Sequence, residues 1–148
     1  MKKFKFKLKA VLREREIRED ERKRDFGLAM GKFHKEKEIL SRFEQDKEDS
    51  FDFLKLEKET ESPNIRTLRL YETYLLHLNK KINLQCSVIV KAAENVTAAR
   101  QKLLEATRRK KILETLKDHQ RLKYYMDAEK QELKDIDEYN VLKAASHE

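Results

Sequence analysis

From Leu68 the chain places apolar residues at alternate steps of three and four: Leu68, Tyr71, Leu75, Leu78, Ile82, Gln85, Ile89, Ala92, Val96, Ala99, Leu103, Ala106, Lys110 and Leu113. Only Gln85 and Lys110 break the series. A seven-residue period sustained this long requires a partner helix, around which it winds left-handed. Polar interruptions of this kind can set register. Beyond Leu113 the period slips. Leu116, Leu122, Met126, Leu133 and Ile136 form an apolar stripe in another frame, which predicts a stutter.

The upstream half is less regular. Leu8, Val11, Leu12, Ile17, Phe26, Ala29, Met30, Phe33, Leu40, Phe43, Phe51, Leu54 and Leu56 supply its apolar face, and Arg18 to Arg24 contains no apolar residue. That stretch is expected to be helical but weakly held. The one strong turn signal is Ser62-Pro63-Asn64. Proline disfavours helix at the residue before it and suits the first turn of a new helix. The pattern therefore predicts a helix over about 4–60, a turn at 61–64 and a second helix over about 65–143. The fold class is all-α: two long helices in a single antiparallel coiled-coil hairpin spanning residues 1–148.

If the chain folds back at Pro63, residues whose numbers sum to about 126 face each other. Gly27 and Gly31 then fall opposite Val96, Ala98 and Ala99, near Ala92 and Ala93. A glycine inside a helix costs about 1 kcal/mol relative to alanine, so a close approach of two backbones is the expected reason for this pair. The same arithmetic leaves the residues from Lys123 onward without an intramolecular partner.

Composition supports long helices over a broad globular core. Of 148 residues, 43% are charged, with two glycines, one proline and no tryptophan. The 35 Lys/Arg against 28 Asp/Glu are unevenly spread. Residues 1–24 hold eleven Lys/Arg against five acids, and residues 100–123 hold nine against three. Fold-back brings these two basic segments side by side. Residues 36–61 hold ten acids against five Lys/Arg, and residues 127–148 hold seven acids against three lysines. Charge polarity of this kind favours docking in one orientation; the plainer reading is solvated faces stabilised by pairs four residues apart.

The residues give no sign of catalytic chemistry, and the chain is expected not to be an enzyme. His34, His77, His119 and His147 are scattered, Cys86 stands alone, and the two glycines cannot form a phosphate loop. No cofactor or metal is expected. A lone cysteine fits a reducing, cytosolic compartment. The basic start lacks an apolar signal region, and no apolar run approaches the roughly 20 residues that span a bilayer. Exposed tyrosines beside apolar residues are typical of binding surfaces. Tyr74, off the seam and near Lys81 and Gln85, is one such candidate; packing over the hairpin tip is its alternative role. Tyr124 and Tyr125 begin the unpartnered segment.

Three stretches resemble a known family. The start, Phe4-x-Phe6-x-Leu8-x-x-Val11-Leu12-x-x-Arg15-Glu16, resembles the opening of the FliJ family, the small coiled-coil proteins of the bacterial flagellar type III export apparatus. So do Tyr71-x-x-Tyr74-Leu75-x-x-Leu78-x-x-x-Ile82 and the closing run Leu113-Glu114-x-Leu116, Tyr124-Tyr125 and Glu132-x-Lys134-x-x-Asp137-Glu138. The resemblance implies a fold like the central stalk of rotary ATPases. It implies that both termini enter the hexameric ring of the flagellar export ATPase and promote its assembly, which would assist export and so motility and chemotaxis. Phe4, Phe6, Leu8, Glu132, Asp137 and Glu138 would take part, with Arg108, Arg109, Lys110 and Lys111 as the basic handle. It further implies contact with the cytoplasmic domain of the membrane export gate through Tyr74, Leu78, Lys81 and Gln85, and with export chaperones. Lys81 and Gln85 stand where the family pattern has a small residue and a histidine, and Tyr139 where an aliphatic or small residue follows the Asp-Glu pair. The implied location is the cytoplasm, peripheral to the membrane at the flagellar base. The alternatives are a homodimeric scaffold unrelated to export and a basic helix that binds nucleic acid. The 28 interleaved acids and the lack of a groove-reading motif weigh against nucleic acid.

Overall fold

A computed structural model describes residues 2–147. It contains two helices, α1 (Lys9–Glu59) and α2 (Ile65–Ser146), which pack against each other antiparallel. The intervening turn is secured by side chains. Thr60 Oγ1 donates to the Glu57 carbonyl at 2.7 Å, and the Asn64 backbone N–H donates to Glu57 Oε1 at 3.2 Å. Asn64 Oδ1 then accepts from the backbone N–H groups of Arg66 and Thr67 at 3.1 and 3.3 Å, so Asn64 caps α2 directly after Pro63.

Packing divides the chain into two compact units. One comprises Arg22–Leu103; the other comprises Met1–Glu21 with Leu104–Glu148.

In the unit around the turn, every α2 position in the predicted series from Leu68 to Leu103 is buried or half-buried. Leu78 is the most enclosed of them at 2% exposure. The α1 half of this unit turns out to be as regular as α2. Its covered positions step by three and four through Arg22, Phe26, Ala29, Phe33, Glu36, Leu40, Phe43, Lys47, Ser50, Leu54 and Glu57. Five of these are polar, while Phe51 and Leu56, expected on the apolar face, are exposed. Three of the five have bonded polar ends: Arg22 with Asp25, Glu36 with Gln85 and Glu57 with the Asn64 backbone. Gln85 Nε2, for example, donates to the Glu36 carbonyl at 2.8 Å and to Glu36 Oε2 at 2.6 Å. A buried amide with its donors filled costs little, whereas an empty one would cost about 1–3 kcal/mol. The cross-helix ring contacts agree with the fold-back register. Arg100 lies over Phe26, Lys81 over Phe43, and Phe53 stacks on Tyr71 with centroids 4.4 Å apart.

The expectation about the glycines is overturned. Gly27 and Gly31 are exposed, neither has a positive φ, and a Cβ built on either meets nothing within 4 Å. They lie on the outer surface of α1, because the seam positions around them are Phe26, Ala29 and Phe33. Gly27→Ala and Gly31→Ala should therefore each stabilise the fold by about 0.5–1 kcal/mol through helix propensity alone. Thermal unfolding followed by circular dichroism measures this; a loss of stability would mean that the glycines serve a contact.

In the terminal unit, α1 begins at Lys9 and not near residue 4. Residues 2–6 have no helical structure. In a helix Phe4 and Phe6 would point about 200° apart, whereas an extended backbone turns both to one side. Phe6 packs in a buried cluster with Leu12 and Leu113, with Phe4 against its edge. Phe4 also meets Tyr124 at 5.7 Å between centroids, and Tyr124 Oη donates to the Lys2 carbonyl at 2.5 Å.

The apolar stripe expected in another frame beyond Leu113 is not the covered face as far as Tyr124. Lys117 and Tyr124 are half-buried, and both continue the frame of Leu113. Leu122, Met126, Leu133 and Ile136 are more than half exposed. The seam is kept by the stem of a lysine and the ring of a tyrosine, which apolar counting passes over. From Glu129 to His147 every residue is exposed.

Candidate docking surfaces

The stretch from Arg18 to Arg24, expected to be weakly held, is anchored by charge. Glu19 takes a seam position and is 4% exposed at its side chain. Its Oε1 lies 2.9 Å from Lys110 Nζ, whose side chain is 21% exposed. Lys110 also approaches Glu114 at 3.8 Å. The hydrogen bond that Lys110 donates to Glu19 raises the Lys110 pKa above its ordinary value, and the negative charges of Glu19, Glu114 and Glu16 add to it, against the opposite pull of burial. Lys110 is thus an internal tie more than a surface charge. Around it, Arg108 and Lys111 are exposed. Arg109 is exposed too, with Nη2 on Glu105 Oε1 at 2.7 Å and its carbonyl accepting from Arg15 Nη1 at 2.9 Å. Val11, Glu14, Arg15, Arg18, Ala106 and Arg109 line a shallow groove beside the pair.

The unit around the turn presents a different surface. Tyr74 is 41% exposed. It lines a groove of about 450 Å³ with Leu70 and Tyr71 of α2 and Asp46, Asp49 and Ser50 of α1. Lys81 is exposed, with its ammonium 5.9 Å from the centre of the Phe43 ring.

Residues 4–148 match the family described as flagellar FliJ protein. The chain belongs to the FliJ family. Membership makes it a component of the type III export apparatus. A solved structure, described as that of a YscO homologue from Chlamydia trachomatis, shares the fold with a TM-score of 0.70 at 16% identity, over 98% of each chain. No curated protein matches the chain.

Within this FliJ-family chain, the residues expected to meet the export gate divide in two. Tyr74 and Lys81 are on the surface. Leu78 and Gln85 (9% exposed) are enclosed between the helices, beneath that surface. The residues expected at the ATPase ring also separate. Phe6 is buried with Leu113, Phe4 half-covers it and Leu8 is partly exposed, which ties the N-terminal segment to the end of the Arg108–Lys111 stretch. Glu132, Asp137 and Glu138 are exposed near the end of α2. Sequence reasoning did not single out Asp46, Asp49 and Ser50 beside Tyr74. The fold-back arithmetic could have found them, since it sets Tyr71 and Tyr74 opposite residues near 52–55, about one turn away.

Among the described residues no group of histidine, cysteine and acidic side chains is placed to hold a metal, and no helix is long and apolar enough to cross a membrane. Cys86 is exposed.

Proposed function

We propose that the chain serves as a two-helix stalk in flagellar type III export. Its terminal unit binds the ring of the export ATPase and promotes ring assembly, and the surface around Tyr74 and Lys81 meets the cytoplasmic domain of the export gate. Export chaperones are further partners. The observation that carries this reading is the packing of the chain's start against α2 at Leu113. Phe6, Leu12 and Leu113 form one cluster, so the aromatic start of the chain and the cationic stretch Arg108–Lys111 belong to one docking end. A basic end speeds and orients encounter with an acidic partner, and this effect is screened by salt.

The test is affinity for the cell's flagellar export ATPase. Reversing Arg108, Arg109 and Lys111 together to glutamate should weaken binding about tenfold or more at low salt, with the gap closing near 0.5 M salt as screening shortens to a few ångströms. Lys110 is left intact, because its reversal would place a second carboxylate against Glu19 and disturb the fold. Equal affinity of the variant and the unaltered chain at low salt would overturn electrostatic docking at this end.

A further inference from the structure

The groove beside Tyr74 has a chemistry of its own. Two of its walls are carboxylates, Asp46 and Asp49, one helical turn apart on α1. Neither is paired with a cation among the described residues, and Asp49 Oδ1 accepts a bond only from Gln45 Nε2, at 2.9 Å. Ser50, itself a seam position, is only 6% exposed, yet its hydroxyl makes no hydrogen bond. No side-chain polar atom among the described residues is both sealed from solvent and without a partner, so this hydroxyl keeps contact with solvent, and Ser50 is one of the residues that line the groove. The opposite wall is apolar and aromatic: Leu70, 65% exposed, and the rings of Tyr71 and Tyr74. Tyr71 is fixed by its stack on Phe53.

Two unpaired carboxylates, an open hydroxyl and aromatic faces together select a cation with a flat, partly apolar surface. A guanidinium meets all of these. It is planar and weakly hydrated, bonds carboxylates in pairs and stacks on aromatic rings, whereas an ammonium is compact and strongly hydrated. A metal ion lacks the further ligands it would need, since no metal-holding group of three or more side chains is present among the described residues. The wider segment reinforces the choice: residues 36–61 hold ten acids against five Lys/Arg in a chain whose net charge is +7.

We infer that this groove seats an arginine side chain presented by the partner segment that docks on the Tyr74 surface. The inference rests on the reading of that surface as a partner site. It specifies one feature of the partner: an arginine flanked by apolar residues that lie along Leu70 and Tyr74.

The groove can be tested without the partner. N-acetyl-arginine amide is titrated into the full chain, and the backbone and tyrosine ring resonances are followed by nuclear magnetic resonance. Saturable shifts centred on Asp46, Asp49, Ser50, Leu70 and Tyr74 are expected. The neutral citrulline analogue should bind about tenfold more weakly, since it lacks the charge-assisted bonds. Asp46→Asn with Asp49→Asn should abolish saturation while leaving the helical signal unchanged. Equal response to arginine and citrulline, or shifts that never saturate, would overturn the inference. A parallel binding assay with the gate's cytoplasmic domain separates the two ideas. If arginine saturates the groove and the gate fails to bind, the groove stands and only its assignment to the gate falls. If the gate binds the double asparagine variant as well as the unaltered chain, the arginine seat is wrong and the gate contact survives.

Discussion

Leu78→Ala should lower the unfolding free energy by about 3 kcal/mol, the usual cost of emptying a fully enclosed leucine site. Leu78 has 2% of its surface exposed and lies between Leu75, also buried, and half-buried Ile82 on the α2 seam. Long helices of this kind are marginal without a packed stripe, because propensity alone seldom holds them. Leu76→Ala and Leu84→Ala supply the control. Both leucines are about two-thirds exposed, so their truncation should change stability by less than about 0.5 kcal/mol. Urea unfolding followed by circular dichroism distinguishes the sites. A small effect at Leu78, or a large one at Leu84, would mean that the wrong face of α2 has been assigned to α1. The result also bears on the export gate. If Leu78→Ala weakens gate binding, the cause is expected to be loosening beneath the Tyr74 surface, and Tyr74→Ala should weaken binding without loss of stability.

The second large effect concerns the Glu19–Lys110 pair. Lys110→Met removes an ammonium partner of a carboxylate that is almost wholly enclosed, and should cost about 2 kcal/mol. That value is below the usual 3–5 for a fully buried pair, because Lys110 keeps a fifth of its side chain in solvent. Adding Glu19→Met should recover most of the loss or exceed it, since two apolar residues of similar size avoid the cost of desolvating both charges. If the double variant is as unstable as the single one, the pair contributes more than its desolvation cost. The pH dependence has a definite sign. The folded pKa of Lys110 is raised, so its contribution is fully present below the ordinary lysine value of about 10.4 and is lost only as pH rises through the raised value. The penalty of Lys110→Met should therefore be constant from about pH 7 to 9 and shrink only in stronger alkali. Glu19 and Lys110 also bear on register. Sliding α1 by one turn would leave a charged group facing an apolar seam position, a stronger restraint than the alanines nearby can provide.

The pair also shows where the sequence was legible and where it was not. The α2 seam could be read outright from Leu68 to Leu113, because apolar residues occupied all but two of its positions. The fold-back near Pro63 could be read too, because proline, a polar run and Asn64 stand together in a chain with almost no other breakers. Gln85 and Lys110 stood out as interruptions, but nothing in the order of residues named what they meet. Their partners, Glu36 and Glu19, belong to a helix whose own seam is so rich in polar side chains that its period was hidden.

The sequence by itself determined the all-α class, the two helices, the reversal between them and the family, since local propensity and a long apolar repeat depend on residue order alone. Tertiary structure alone decided the α1 seam. Arginine, glutamate, lysine and serine are admitted to a seam only when a complementary group or a solvent edge lies across from them, and sequence order does not carry that information. The same reason governs the non-helical Phe4–Phe6 segment, whose rings pack by Leu113 and Tyr124 of α2, the outward glycines, and the acidic groove beside Tyr74. Each depends on what the opposite helix presents at that height.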